Sequence, residues 1–203
     1  MFVRVHRGQV DDRDDIRREW RCWERSLQDA PDGYVGSTAG IADDGTFVAM
    51  VRYESEAAAR CIDAVSPGAE RWRQACTRLR DHFVVDSTET DVWNRGGTDE
   101  AGFVQIRLGI SNDPARLRDL YVNQQPVRMG PYRPEVLGGL FAWYGDGGFA
   151  LSAYFTSEDE ARSGENLHEF ESFFDDISAV MQDVRYVDLH EPWFSTARVL
   201  SPV

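Results

Sequence analysis

The sequence predicts an α+β protein made of two tandem ferredoxin-like βαββαβ repeats, and three observations carry that prediction. The first is self-similarity at the start of each repeat: Phe2-Val-Arg-Val-His-Arg-Gly8 returns as Phe103-Val-Gln-Ile-Arg-Leu-Gly109. The second is a longer match further along. The segment Asp44 to Glu56 returns as Asp146 to Glu158, each opening on Asp-Gly and closing on Ser-Glu. The third is a change of apolar period inside each copy, from 2 in the strand-like runs to 3.6 between them.

Taken in order, Phe2 to Arg7 and Phe103 to Leu108 alternate as strands. A helix follows in each copy. Ile16, Trp20, Trp23 and Leu27 form one stripe in the first, and Leu117, Leu120 and Tyr121 take that part in the second. Breaks at Pro31–Gly33 and Gly130–Pro134 lead into two strands joined by tight turns, Asp43-Asp44-Gly45 and Asp146-Gly147-Gly148. Ser55 and Ser157 then sit where a helix starts, and Ser157 with Glu160 makes a capping box. The second helix is expected to carry Trp72, Ala75, Cys76, Leu79 and Phe83 on one face. Its counterpart carries Phe170, Phe173, Phe174, Ile177 and Met181. A final strand closes each copy near Trp93 and Trp193. The expected boundaries are 1–94 for the first repeat, 95–102 for a glycine-rich linker and 103–203 for the second repeat.

Helices on one side leave the other sheet face bare, which is an apolar liability. The expected remedy is that the two repeats pack sheet to sheet as an intramolecular pseudo-dimeric α/β barrel. Association of two such chains into a homodimer stays open.

Composition excludes several functions. The net charge is −13 and is spread over both halves, so a nucleic-acid backbone or an anionic membrane is not an expected partner. Every basic residue is arginine. The absence of lysine removes Schiff-base and P-loop phosphate chemistry. No apolar run approaches the length of a membrane span and no secretory signal is read, so a soluble cytoplasmic protein is expected. Cys22, Cys61 and Cys76 read as free thiols. His6, His82, His168 and His190 are scattered, and His190-Glu191 lacks the spacing of a helical ligand pair. Neither a metal site nor a cofactor is expected.

The run Gly33-Tyr-Val-Gly36, the Asp44-Gly-Thr-Phe-Val-Ala49 turn and strand, and Tyr53 to Arg60 resemble the antibiotic biosynthesis monooxygenase-like proteins of the dimeric α/β-barrel superfamily. The resemblance spans both repeats. It implies a cofactor-independent monooxygenase of aromatic or polyketide-like molecules, a haem-degrading enzyme, or a protein of no known activity; beside it stands the alternative of a non-catalytic small hydrophobic ligand-binding or interaction protein. The haem-degrading branch implies an Asn on the first strand and a ligating His on the second helix. No Asn precedes Asn94, and Trp72 stands near the ligand position, with His82 too late. The plain reading is Trp72 as a core residue and His82 as a cation at a helix end.

Cofactor-independent oxygenation needs a dry pocket that binds an aromatic ligand and stabilises its anion. Strand alternation puts Arg4 and His6 on one face and Val3 and Val5 on the other. In the second repeat Gln105 and Arg107 share a face. Arg52 and Tyr154 occupy matching places on the third strands. The candidate catalytic residues are His6 and Arg52, with Arg4, Arg107, Tyr154 and Trp72 as pocket residues. If the polar faces meet between the sheets, Arg4, His6, Arg52, Arg107 and Tyr154 would line one cavity, with Glu54 an acidic partner for the arginines.

Overall fold

The structure, a computed structural model, describes residues 1–28, 33–94, 96–165 and 168–196. Pro31 and Arg95, where a chain break and the linker were expected to begin, and the chain end beyond 196 lie outside the described residues.

The first unit comprises Met1–Thr88 with the segment from Trp193, and the second Glu89–Pro192. In the first, β1 (Phe2–Gln9) is followed by α1 (Arg13–Gln28), β2 (Tyr34–Ile41) and β3 (Thr46–Tyr53). Then come α2 (Glu56–Val65), α3 (Ala69–Cys76) and β4 (Arg80–Ser87). The second unit runs β5 (Glu89–Asn94), β6 (Phe103–Ser111), α4 (Pro114–Arg118), a π-helical stretch Asp119–Gln124, α5 (Gln125–Arg128), β7 (Val136–Tyr144) and β8 (Gly148–Phe155). It closes with α6 (Glu158–Glu165), a 3-10 turn His168–Phe170, α7 (Glu171–Ala179) and β9 (Met181–Leu189). β10 (Trp193–Thr196) returns to the first unit.

The strand orders are β10-β2-β3-β1-β4 and β5-β7-β8-β6-β9. They are the same order in repeat terms, and all the pairings are antiparallel. The duplicated βαββαβ plan therefore holds, with one addition: each sheet has a fifth strand. The closing strand of the first repeat, β5, pairs with β7, and that of the second, β10, pairs with β2. The compact units consequently do not coincide with the sequence repeats.

Local chemistry explains the elements. The α1 stripe Ile16, Trp20, Trp23 and Leu27 is buried against Phe47, Ala49 and Val51 of β3. Gly45 and Gly147 turn the two central hairpins with φ of 82° and 81°, a region open to glycine. Ser55 caps α2, its Oγ accepting from the Ala58 N–H at 3.1 Å. Ser157 accepts from the Glu160 N–H at 3.3 Å and donates to the Glu160 carboxylate at 2.8 Å. Trp93 of β5 lies flat over Gly139, where a Cβ would fall 1.8 Å from its ring.

Three expectations need correction. The second helix of the first repeat is two helices, and it ends at Cys76; Leu79 follows it and Phe83 lies in β4. Its counterpart α7 ends at Ala179, so Met181 opens β9. His82 is therefore a strand residue, not a helix-end cation.

Candidate functional site

The face of β1 that meets the helices is set by its pairing with β3. Phe2 sits opposite Tyr53, Arg4 opposite Val51 and His6 opposite Ala49, and Tyr53, Val51 and Ala49 all belong to the helix-side core. Arg4 and His6 thus point toward the helices. On the neighbouring strand Arg4 pairs with Asp86 and His6 with Val84, which aims Asp86, Val84 and His82 the same way.

Between this face and the helices lies a cavity of about 570 Å³. Arg4, His6, Val84 and Asp86 form its floor, Trp23, Trp72 and Cys76 its wall, and Asp63 and His82 also line it. His6 is only 6% exposed, and neither ring nitrogen has a hydrogen-bond partner. Its ring meets Trp23 and Trp72 edge-on, at centroid distances of 6.1 and 5.8 Å, and stacks with His82 at 5.9 Å. Burial, then the neighbouring Arg4 and His82, push its pKa down to about 3, so the ring is neutral. Burial likewise lowers His82 and pushes the Cys76 thiol up to about 12.

Arg4 is held by two aspartates. It makes a two-pronged contact with Asp86 at 2.6 and 2.9 Å and a further bond to Asp63 at 2.5 Å. The Asp86 hydrogen bond, with help from Asp63 and against the cost of burial, raises its pKa further. Its partners are these two aspartates; Glu54, the expected partner, is exposed.

The second unit repeats the cavity, about 530 Å³, with different contents. Arg107 occupies the place of His6. It donates to Gln105 at 2.8 Å and to the Tyr121 hydroxyl, and lies 5.3 Å over the Tyr186 ring. Gln105 and Arg162 both bond Asp188, at 3.0 and 2.5 Å. The first cavity keeps a buried ring without partners, whereas the second fills its polar needs internally.

The candidate residues are therefore divided. Arg4, His6 and Trp72 line the first cavity and Arg107 the second. Arg52 pairs with Val3 and Tyr154 with Val104, on the opposite sheet faces. Tyr154 is buried and accepts from Ser152 at 3.4 Å, and the Arg52 Nε is buried without a partner. The single cavity expected to hold Arg4, His6, Arg52, Arg107 and Tyr154 is corrected on that ground. Cys76, His82, Asp63 and Asp86 were not among the sequence candidates. Reading residues 82, 84 and 86 as alternate positions of a strand would have found two of them.

No family model matches the chain, and no curated protein does. Solved structures do. A protein provisionally named a monooxygenase from Lactobacillus acidophilus superposes with a TM-score of 0.71 at 9% identity, over 96% of this chain and 95% of the other. A second protein provisionally named so, from Fusobacterium nucleatum, gives 0.74 at 10% identity over 96% and 94%. An anthrone oxidase-like protein gives 0.70 at 8% identity over 97% and 93%. At such identities the likeness is one of fold, and it extends over nearly the whole chain. The resemblance to the monooxygenase-like proteins of the dimeric α/β-barrel superfamily holds at that level: this chain has their fold.

Proposed function

We propose that the chain is a cofactor-independent monooxygenase that oxidises an aromatic or polyketide-like small molecule in the helix-side cavity of its first repeat. The observation that carries this reading is His6: a neutral imidazole, buried in the lining of an aromatic-walled cavity, with neither ring nitrogen hydrogen-bonded. Trp23 and Trp72 supply flat apolar surface for a fused-ring ligand. His6 accepts the acidic C–H or O–H proton of an anthrone- or quinol-type substrate. The burial that disfavours an isolated imidazolium is offset by the carbanion or phenolate left beside it. That electron-rich anion reduces O2 directly. For an anthrone, one oxygen atom enters the ring as a carbonyl and the other leaves as water with the two hydrogens of the oxidised carbon, so no external reductant is required.

The test is oxygen uptake with anthrone or a quinol as substrate. His6→Ala should lower turnover on the order of 10²-fold or more, the usual worth of a general base. If Arg52→Ala removes turnover and His6→Ala does not, the chemistry belongs to the other face of the sheet.

One observation favours a second reading, a non-catalytic binder of small hydrophobic ligands. Arg4 is already held by two carboxylates, Asp63 and Asp86, which offset the charge it would present to a substrate anion. Under that reading, anthrone-type ligands quench tryptophan fluorescence in wild type, weakly so in Trp72→Ala, while no oxygen is consumed.

A further inference from the structure

Residues that are far apart in the chain meet at the floor of the first cavity. His6 comes from β1, Cys76 from the last turn of α3 and His82 from β4. One ligand atom from each lies within 4.8 Å of the others. We propose that His6, Cys76 and His82 form a binding site for a borderline-soft transition-metal ion, with Zn(II) the best fit, and with a fourth coordination position open to the cavity.

Four observations support it. His6 is buried with neither ring nitrogen hydrogen-bonded, and a buried polar atom left without a partner calls for one, which a metal ion would supply by accepting the ring's lone pair. The spacing is close to what an ion requires. Zn–N bonds of about 2.0–2.1 Å and Zn–S bonds of about 2.3 Å set tetrahedral ligand atoms roughly 3.3–3.7 Å apart. Side-chain rotations of about 1 Å, easiest at the exposed His82, close the difference.

The donor set also selects the ion. Two imidazoles and a thiol suit zinc or cobalt and exclude magnesium and calcium, which demand oxygen. A copper site of this composition calls for a distal methionine, and none lines the cavity among the described residues. Finally, the local charge admits a cation. Arg4 is offset by Asp63 and Asp86, Arg73, which also lines the cavity, is paired with Glu70, and Arg78, which acts on the Cys76 thiol, is paired with Asp15. Cys76 lies 7% exposed, its thiol protected within the wall, and binding would release its proton.

The second cavity has neither histidine nor cysteine among its lining residues, and His6, Cys76 and His82 are the one such group among the described residues, so one ion per chain is the expected stoichiometry. The inference does not rest on the oxygenase reading. Metal and substrate proton would compete for the same His6 nitrogens, and the test below contains no substrate.

Full-length protein freed of metal by chelation and dialysis is titrated with Co(II), followed by Zn(II) displacement. Expected are one equivalent bound, visible bands of tetrahedral intensity and a near-ultraviolet thiolate-to-cobalt charge-transfer band. Cys76→Ser should abolish the charge-transfer band, and Cys61→Ser, at an exposed thiol, should leave it unchanged. His82→Gln alters an exposed side chain and should keep the fold by circular dichroism, while weakening Co(II) at least tenfold. A spectrum without the charge-transfer band, a band that survives Cys76→Ser, or wild-type affinity in His82→Gln would each overturn the site.

Discussion

At the scale of the residue, His6 determines the character of the site. An imidazole buried with no partner is costly, about 1–3 kcal/mol for an unsatisfied polar group, and its neutrality couples folding to pH. Its native pKa of about 3 lies below the value near 6.5 of an unfolded chain. Above pH 6.5 neither state is protonated and the group has no pH effect. As pH falls below 6.5 the unfolded chain takes up a proton that the native state refuses, and stability drops by about 1.4 kcal/mol per pH unit until the native ring titrates. Arg4, His82 and Cys76 surround the ring, and none of the three is a carboxylate that would favour its charged form at close range. In chelator-treated protein, urea unfolding of His6→Gln between pH 7 and 4.5 should therefore show a shallower acid loss than wild type. Parallel curves for the two proteins would contradict a buried neutral ring.

Elements were legible where their signals are local. The α1 stripe, the Asp-Gly hairpins and the serine caps depend on neighbours within a few residues, and all were readable from the chain. Ser55→Ala removes an N-cap bond worth about 1 kcal/mol and should lower the melting temperature by a few degrees; calorimetry showing no change would mean that the cap is redundant. The end of α3 departs from the apolar period for an equally physical reason. Trp72, Cys76, Leu79 and Phe83 keep a helical period, but the backbone from Arg80 pairs with β1 instead. Ladder formation on an otherwise open sheet edge outweighs a continuing stripe. That shift moved His82 from a surface helix end to the cavity.

At the scale of the whole molecule, the repeat is preserved in topology and divergent in content. Each five-stranded sheet is completed by a strand from the other repeat, β10 beside β2 and β5 beside β7. Ending the chain at Pro192 removes β10, uncovering the β2 edge and the aromatic contact of Trp193 with Phe47. Hydrogen exchange should then accelerate along Tyr34–Ile41 and leave Val136–Tyr144 protected. Equal acceleration in both strands would show that the two units do not open separately. No helix among the described residues is long and apolar enough to cross a membrane.

By itself the sequence determined the duplication, the βαββαβ order, the turns and caps, and the exclusion of lysine chemistry, because each of these is written in composition or in short-range spacing. It also showed that Arg4 and His6 share a face, since alternation has a period of two. Which face meets the helices, which sheet receives β5 and β10, and that His6, Cys76 and His82 converge were decided only by the tertiary structure. Alternation pairs residues with one another and says nothing of what lies above them. Strand partners and cavity walls are chosen by contacts between segments distant in the chain, and those contacts leave no local mark.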